Sequence, residues 1–285
     1  MPGSGLREIR LESPRGELAA LRGGTAGGRP LLCLHGWLDN AASFLPLAPE
    51  LAGFDLVALD LPGHGASAHR APGHDYAFAD WIHDVLDALD GLGWERADVL
   101  GHSMGGAIAC AVAAAAPARV RRLALVEALG PIAGDPAAAG TRLREAVAAR
   151  RAVATRAPRV IPDIETAVAA RLAASRMTPE AARLIVERNL RRVEGGHAWR
   201  SDPRLTLPSQ LRLTEETVQA MLRAIEAPVL VVAADPAPPY FSPEVRAQRL
   251  ACLADGALEV IPGGHHLHME QAARVAGPLR RFLSA

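Results

Sequence analysis

The chain reads as an α/β protein: a mostly parallel, doubly wound sheet with a helical cap inserted between two of its strands. Three observations predict this. Short apolar runs alternate with helix-length segments along most of the 285 residues, which is the rhythm of parallel strands and their crossovers. One long interval, from about Pro131 to Glu226, carries helix signals without that rhythm. And Gly101-His102-Ser103-Met104-Gly105 joins a short apolar run to a helix-forming one, the signature of a sharp strand-to-helix turn with an exposed serine.

Taken in order, Glu8 to Leu11 and Glu17 to Leu21 alternate in polarity around Ser13-Pro14-Arg15-Gly16 and predict an antiparallel hairpin. Buried strands, apolar on both faces, are predicted at Leu31–Leu34, Leu56–Leu59, Val99–Leu100, Leu123–Val126, Val229–Ala233 and Leu258–Ile261. Helices are predicted between them at Ala41–Leu51, Phe78–Leu92, Ser103–Ala115, Pro243–Leu253 and Glu270–Leu283. Within the interruption the start signals are Pro136, Pro162 with Asp163, and Thr178-Pro179-Glu180, and a further helix is expected from Thr214 to Ile225. Glu194 to Pro203 reads as a loop. The division expected is a core of residues 1–130 and 227–285, with residues 131–226 as a cap above the strand ends, where α/β sheets bind ligands. Trp199 fits either a contact made by the cap or an aromatic buried inside it.

Composition excludes some roles. The 31 basic and 31 acidic residues cancel, so nothing favours nucleic acid or an anionic membrane as partner. All the basic residues are arginine; lysine is absent. Cys33, Cys110 and Cys252 are an odd number in apolar settings and read as reduced core residues, not a disulfide or zinc framework. No apolar run has the length of a membrane span, and the first residues lack the apolar core of a signal peptide. A cytoplasmic protein is expected. No metal or nucleotide cofactor is expected either: the turn at Ala97–Met104 has neither a Gly-x-Gly-x-x-Gly pattern nor a lysine.

The residues with chemistry fall at predicted strand ends. A serine nucleophile needs a base, an acid to orient the base, and amide donors for the oxyanion. Ser103 supplies the hydroxyl, and the next amide, that of Met104, points where an oxyanion would form. His35-Gly36 after the third strand turns the backbone so that the Trp37 amide can face the same place. Pro262 to Glu270, with His265, His266 and His268, is the natural source of the base.

His35-Gly36-Trp37, Asp60-Leu61-Pro62-Gly63-His64-Gly65, Gly101 to Gly105 and the late Gly264-His265 together resemble the α/β-hydrolase superfamily. More narrowly, His35 to Asn40, Val126 to Pro131, Trp199 to Pro203 and His265 to Met269 resemble the serine hydrolase-like protein family. The similarity extends from Leu31 to Phe282. It implies Ser103 as nucleophile and the Trp37 and Met104 amides as oxyanion hole. It favours His265 as base, since Glu270 follows at the usual five residues, and gives His64 and His102 backbone-bonding roles. The sequence departs from the superfamily where the acid is usually found. Ala234 and Ala237 stand at the positions of the usual Gly and Asp, with Asp235 two residues out of register. Glu127, with Pro131 four residues on, instead resembles the haloalkane dehalogenases, whose acid comes from this strand. Glu127 is the favoured acid and Asp235 the alternative.

The serine at the elbow sets the chain apart from the dehalogenases, which need Asp there. The expected activity is hydrolysis of carboxylic esters through an acyl-enzyme, without cofactor. Leu38 and Leu129, with Trp37 and Met104, are expected to shape the acyl pocket. Cleavage of lactones or C–C bonds on the same residues, and a hydrolase fold that binds ligand without chemistry, are the competing readings.

Overall fold

A computed structural model describes residues 5–153 and 160–285. Residues 1–4 of the N-terminal stretch and 154–159 of the expected cap lie outside it.

Eight strands form one sheet. They are β1 (Arg7–Leu11), β2 (Leu18–Gly24), β3 (Arg29–Leu34), β4 (Phe54–Leu59), β5 (Ala97–His102), β6 (Val120–Val126), β9 (Val229–Asp235) and β10 (Gly256–Pro262). Their order is β1-β2-β4-β3-β5-β6-β9-β10. β2 runs antiparallel to β1 and β4, and the other pairs are parallel. β3, β4, β5 and β6 are apolar at most positions, and most of their side chains are buried, on both faces. The register Leu34↔Gly101, His102↔Val126 and Val126↔Val232 brings the carboxyl ends of β3, β5, β6 and β9 to one rim.

Helices α1 (Asp80–Gly91), α2 (Met104–Ala115) and α6 (Glu215–Arg223) cover one face. On the other, α9 (Ala272–Ser284) packs beside two single turns, Ala41–Phe44 and Ala48–Leu51. α2 is apolar almost all round because it lies between the sheet and a second helix layer, touching both α1 and α6. α7 (Pro243–Leu250) connects β9 to β10.

Several expectations need correction. The helix expected over Ala41–Leu51 is two 3₁₀ turns, because Pro46 and Pro49 each remove a helical N–H. The last helix starts later: α8 (Leu267–Glu270) is a single turn ended by Gln271, at φ −134° and ψ 42°, before α9 begins. β10 is not a buried strand. It is the open edge of the sheet, leaving Leu258 and Val260 36% and 50% exposed. The stretch expected to lack strands contains a hairpin, β7 (Leu190–Val193) with β8 (Gly196–Trp199). Its signal was Gly195-Gly196, both at positive φ, between two short β-prone runs.

Between β6 and β9 the chain also forms α3 (Ala139–Val153), α4 (Ile164–Ala174) and α5 (Pro179–Asn189). The start signals work as expected: Asp163 accepts from the Thr166 amide at 2.7 Å, and Thr178 from the Ala181 amide at 3.3 Å. α4, α5 and the hairpin enclose a small core of their own, built on Ile161, Val168, Val186 and Leu190, with Trp199 packed against it. α6 differs: its Val218 and Leu222 join the main core. Among the described residues no helix is long and apolar enough to cross a membrane.

Ion pairs tie this segment to the sheet. Asp60, fully buried after β4, accepts from the amides of Ala41 and Ala66 and from Arg188 of α5, at 2.7 Å to Nη2. Replacing Arg188 with Leu leaves that carboxylate buried without its cation, so unfolding in urea should show a loss of about 3–5 kcal/mol.

Candidate active site

Two backbone constraints shape the rim. Helix α2 starts so close to β3 that a Cβ on Gly105 would lie 2.1 Å from the Leu34 carbonyl oxygen, and one on Gly101 would lie 2.5 Å from Gly106 Cα. Only glycine allows these approaches. They force the intervening residue into the left-handed region, where Ser103 sits at φ 51°. Glu127, one residue past β6, does the same at φ 56°. Both amides are pinned by the neighbouring strand, Ser103 N–H to the Val126 carbonyl and Glu127 N–H to the Val232 carbonyl, each at 2.9 Å. The parallel ladder thus runs one residue beyond the regular strands and holds both side chains over the rim.

His265 lies between them. Its Nε2 is 3.0 Å from Ser103 Oγ and its Nδ1 is 3.3 Å from Glu127 Oε2. Glu127 is 3% exposed. Its other oxygen accepts the Ala234 amide at 2.6 Å and lies 3.6 Å from Arg246 Nη2. Arg246, itself buried, also donates to the Ala234 carbonyl at 3.0 Å. A carboxylate held by an amide and a guanidinium is fixed in place and remains an acceptor for the imidazole N–H. Asp235, the alternative acid, is exposed at the end of β9, and its carbonyl accepts from Gly263. Among the described residues, Glu127 is the carboxylate bonded to His265.

Of the two amides expected to meet an oxyanion, that of Met104 begins α2 and so has no intrahelical acceptor. Trp37 is three residues past the end of β3, the strand whose last residue pairs with Gly101 of β5. The residue is 52% exposed, and its indole Nε1 donates to the Leu205 carbonyl at 2.8 Å. Leu38 is partly buried at the edge of the main core, at φ 57°. Leu129, expected to line a pocket, is 1% exposed within the main core.

Five other histidines, His35, His64, His102, His266 and His268, are buried beneath the site. His102 Nε2 meets the His265 carbonyl at 2.9 Å, and His64 Nδ1 the Pro62 carbonyl at 3.2 Å. These are the backbone roles expected of them. His35 Nε2 accepts the Leu61 amide at 3.0 Å, so its Nδ1–H donates to the Gly36 carbonyl at 2.7 Å. His268 stacks on His102 with ring centroids 4.0 Å apart. Burial, reinforced by the neighbouring imidazoles, pushes His102 well below the ordinary histidine range and His268 down to about 3. Neither carries charge at neutral pH. Among the described residues no cluster of His, Cys, Asp and Glu is arranged to hold a metal ion.

Four contributors were not anticipated: Asp39, Arg171, Arg246 and Tyr240. Asp39 is buried, with Oδ2 3.5 Å from His266 Nε2 and Oδ1 bonded to Arg171 of α4. Burial alone would raise its pKa, but His266 and Arg171 together hold it well below the usual carboxylate range. Tyr240 places its hydroxyl 3.3 Å from His265 Nδ1. Asp39 stood inside a quoted motif, yet its partners are distant in sequence. Arg171, Arg246 and Tyr240 had no local signal.

Such a group can take a proton from a hydroxyl, orient the imidazole that takes it, and meet a developing oxyanion. Gly105→Ala should disturb it without touching any side chain in it. The added Cβ meets backbone, so a loss of stability of about 2 kcal/mol or more is expected by thermal unfolding.

The chain is similar to known proteins over most of its length. Residues 29–272 match the family described as the alpha/beta hydrolase fold. A serine hydrolase-like protein of Danio rerio is 29% identical over 97% of this chain and 88% of its own length. The crystal structure of a hypothetical protein from Pseudomonas aeruginosa superposes with a TM-score of 0.91 at 43% identity, covering 98% of this chain and 99% of that one. The thioesterase domain from the curacin biosynthetic pathway superposes with a TM-score of 0.82 at 25% identity, covering 96% and 98%.

Proposed function

Because the chain belongs to the α/β-hydrolase fold family, as a serine hydrolase-like member, we propose that it cleaves carboxylic esters through an acyl-enzyme on Ser103. The observation that carries this is the continuous line Ser103 Oγ–His265 Nε2 at 3.0 Å and His265 Nδ1–Glu127 Oε2 at 3.3 Å.

In the first half-reaction His265 Nε2 takes the Ser103 proton as Oγ attacks the carbonyl carbon. The carbonyl oxygen becomes an oxyanion and receives the Trp37 and Met104 amides. Glu127 fixes the imidazole with Nδ1 protonated and stabilises the imidazolium. Arg246 and the Ala234 amide keep the carboxylate in place. Collapse expels the alcohol, which leaves with the proton from His265. Water then attacks the acyl-enzyme by the same route, releasing the acid and returning the proton to Ser103. Neither metal nor diffusible cofactor takes part in these steps.

The substrate is a small-molecule ester, with Trp37, Leu38 and Met104 nearest the acyl group and residues 131–226 covering it as a cap. The similarity to a thioesterase domain makes thioesters the first variation to assay. The proposed setting is cytoplasmic, consistent with Cys33 and Cys110 being buried free thiols.

Turnover of p-nitrophenyl esters and labelling by a fluorophosphonate test the reading. Ser103→Ala should abolish both, and retention of wild-type turnover would overturn it. Glu127→Gln should lower kcat by about two to four orders of magnitude, the scale seen for triad acids, while Asp235→Asn stays near wild type. The reverse ranking would move the acid to Asp235, and poor labelling with no turnover in the wild type would favour a fold that binds without chemistry.

A further inference from the structure

Four consecutive residues of the loop after β3 are each bonded to the segment between β6 and β9. Trp37 Nε1 donates to the Leu205 carbonyl at 2.8 Å. The Leu38 carbonyl accepts Arg171 Nη1 at 3.4 Å, and Asp39 Oδ1 accepts Nη2 of the same guanidinium. Asn40 Nδ2 donates to the Ile185 carbonyl at 2.8 Å. The residues just before them are held by the core. His35 bridges the Leu61 amide and the Gly36 carbonyl, and a Cβ on Gly36 would lie 2.9 Å from His102 Nδ1 and 3.0 Å from Asp39 Oδ2. Trp37 therefore sits where the core's hold gives way to the cap's. Leu38, next to it, is at φ 57°, a strained conformation for a leucine that persists only while its surroundings impose it.

We propose that Arg171 is a positioning residue that makes the cap part of the oxyanion hole: its bonds to Leu38 and Asp39 hold Leu38 left-handed and so aim the Trp37 amide. The inference rests on the ester-hydrolase reading above. Arg171 touches no reacting atom. It acts on the loop, and it is well placed to do so because Asp39 is buried while the guanidinium comes from α4, outside the sheet. The same cap helices reach the histidine loop, where Glu270 Oε1 accepts the Thr178 amide at 2.7 Å and Met269 packs on Ala181 and Ile185. Seating the cap thus registers the oxyanion loop against the base. A cap that only walled the substrate would need neither set of bonds.

Arg171→Met and Arg171→Lys separate the two roles. Lysine keeps a cation on Asp39 but cannot also reach Leu38 with a second, forked donor. With p-nitrophenyl butyrate, kcat should fall about tenfold to a hundredfold in the Met variant, less than the loss of a whole oxyanion donor, and by a smaller factor in the Lys variant, with KM within about twofold. The inhibition constant of an aryl trifluoromethyl ketone, which forms an oxyanion on Ser103, should weaken in step with kcat/KM. Binding of the corresponding alcohol, which forms none, should stay constant. Should the Met variant fail to fold, the Lys variant alone decides. Wild-type kcat and ketone affinity in the folded variants, or a rise in KM alone, would overturn the proposal. Ser103→Ala, assayed alongside, separates the failures: its inactivity beside wild-type Arg171 variants sinks only this inference, and its full activity sinks the hydrolase reading itself.

Discussion

The site depends on two hydrogen bonds that continue the parallel ladder past the regular strands, from Ser103 N–H to Val126 and from Glu127 N–H to Val232. Each holds a non-glycine residue in the left-handed region, at a cost of order 1–3 kcal/mol apiece. The β5-β6-β9 core supplies what is needed to keep them there, since its strands are buried on both faces and cannot slide without exposing apolar side chains. Adjacent strand ends then present the hydroxyl and the carboxylate on either side of one imidazole. The carboxylate at the end of β6 can reach the imidazole beside Ser103 because β6 lies between β5 and β9.

A second constraint is electrostatic. Asp39 and Asp60 are buried on core loops, and each takes a guanidinium from the inserted segment, Arg171 and Arg188 respectively. Buried carboxylates of this kind are costly without their partners. The insertion is therefore not an ornament above the sheet, because part of the core's own charge is compensated from it. Asp202 shows the same logic in the other direction: it accepts from Tyr76 of the core and Arg204, while Arg204 reaches the carbonyls of Arg70, Ala71 and His74.

The sheet was legible in the sequence because burial on two faces writes continuous apolar runs, and the meeting of Ser103, His265 and Glu127 because each stands at the end of one. Glu127 was readable for a physical reason: a lone carboxylate after Leu123 to Val126 demands a partner. What escaped had no local mark. β10 has the composition of a buried strand, and only the strand order shows that it ends the sheet. The Ala41–Leu51 segment has helical spacing, overridden by two prolines. Arg171 and Arg246 are two among 31 basic residues, and nothing near them tells a surface arginine from one that neutralises a carboxylate more than a hundred residues away.

The absence of lysine, which composition alone attributes to nothing in particular, acquires a meaning in this architecture. Among the described residues, the cations that the inserted segment brings to the buried Asp39 and Asp60 are guanidiniums, which stay protonated at any pH a protein survives. An ammonium in the same place would lose its proton as conditions became strongly alkaline and would abandon its carboxylate. Here the fastening has no such release. Alkali can therefore strip protons elsewhere in the molecule while leaving the Arg171–Asp39 and Arg188–Asp60 joints charged, so these two fastenings are not what sets its upper pH limit.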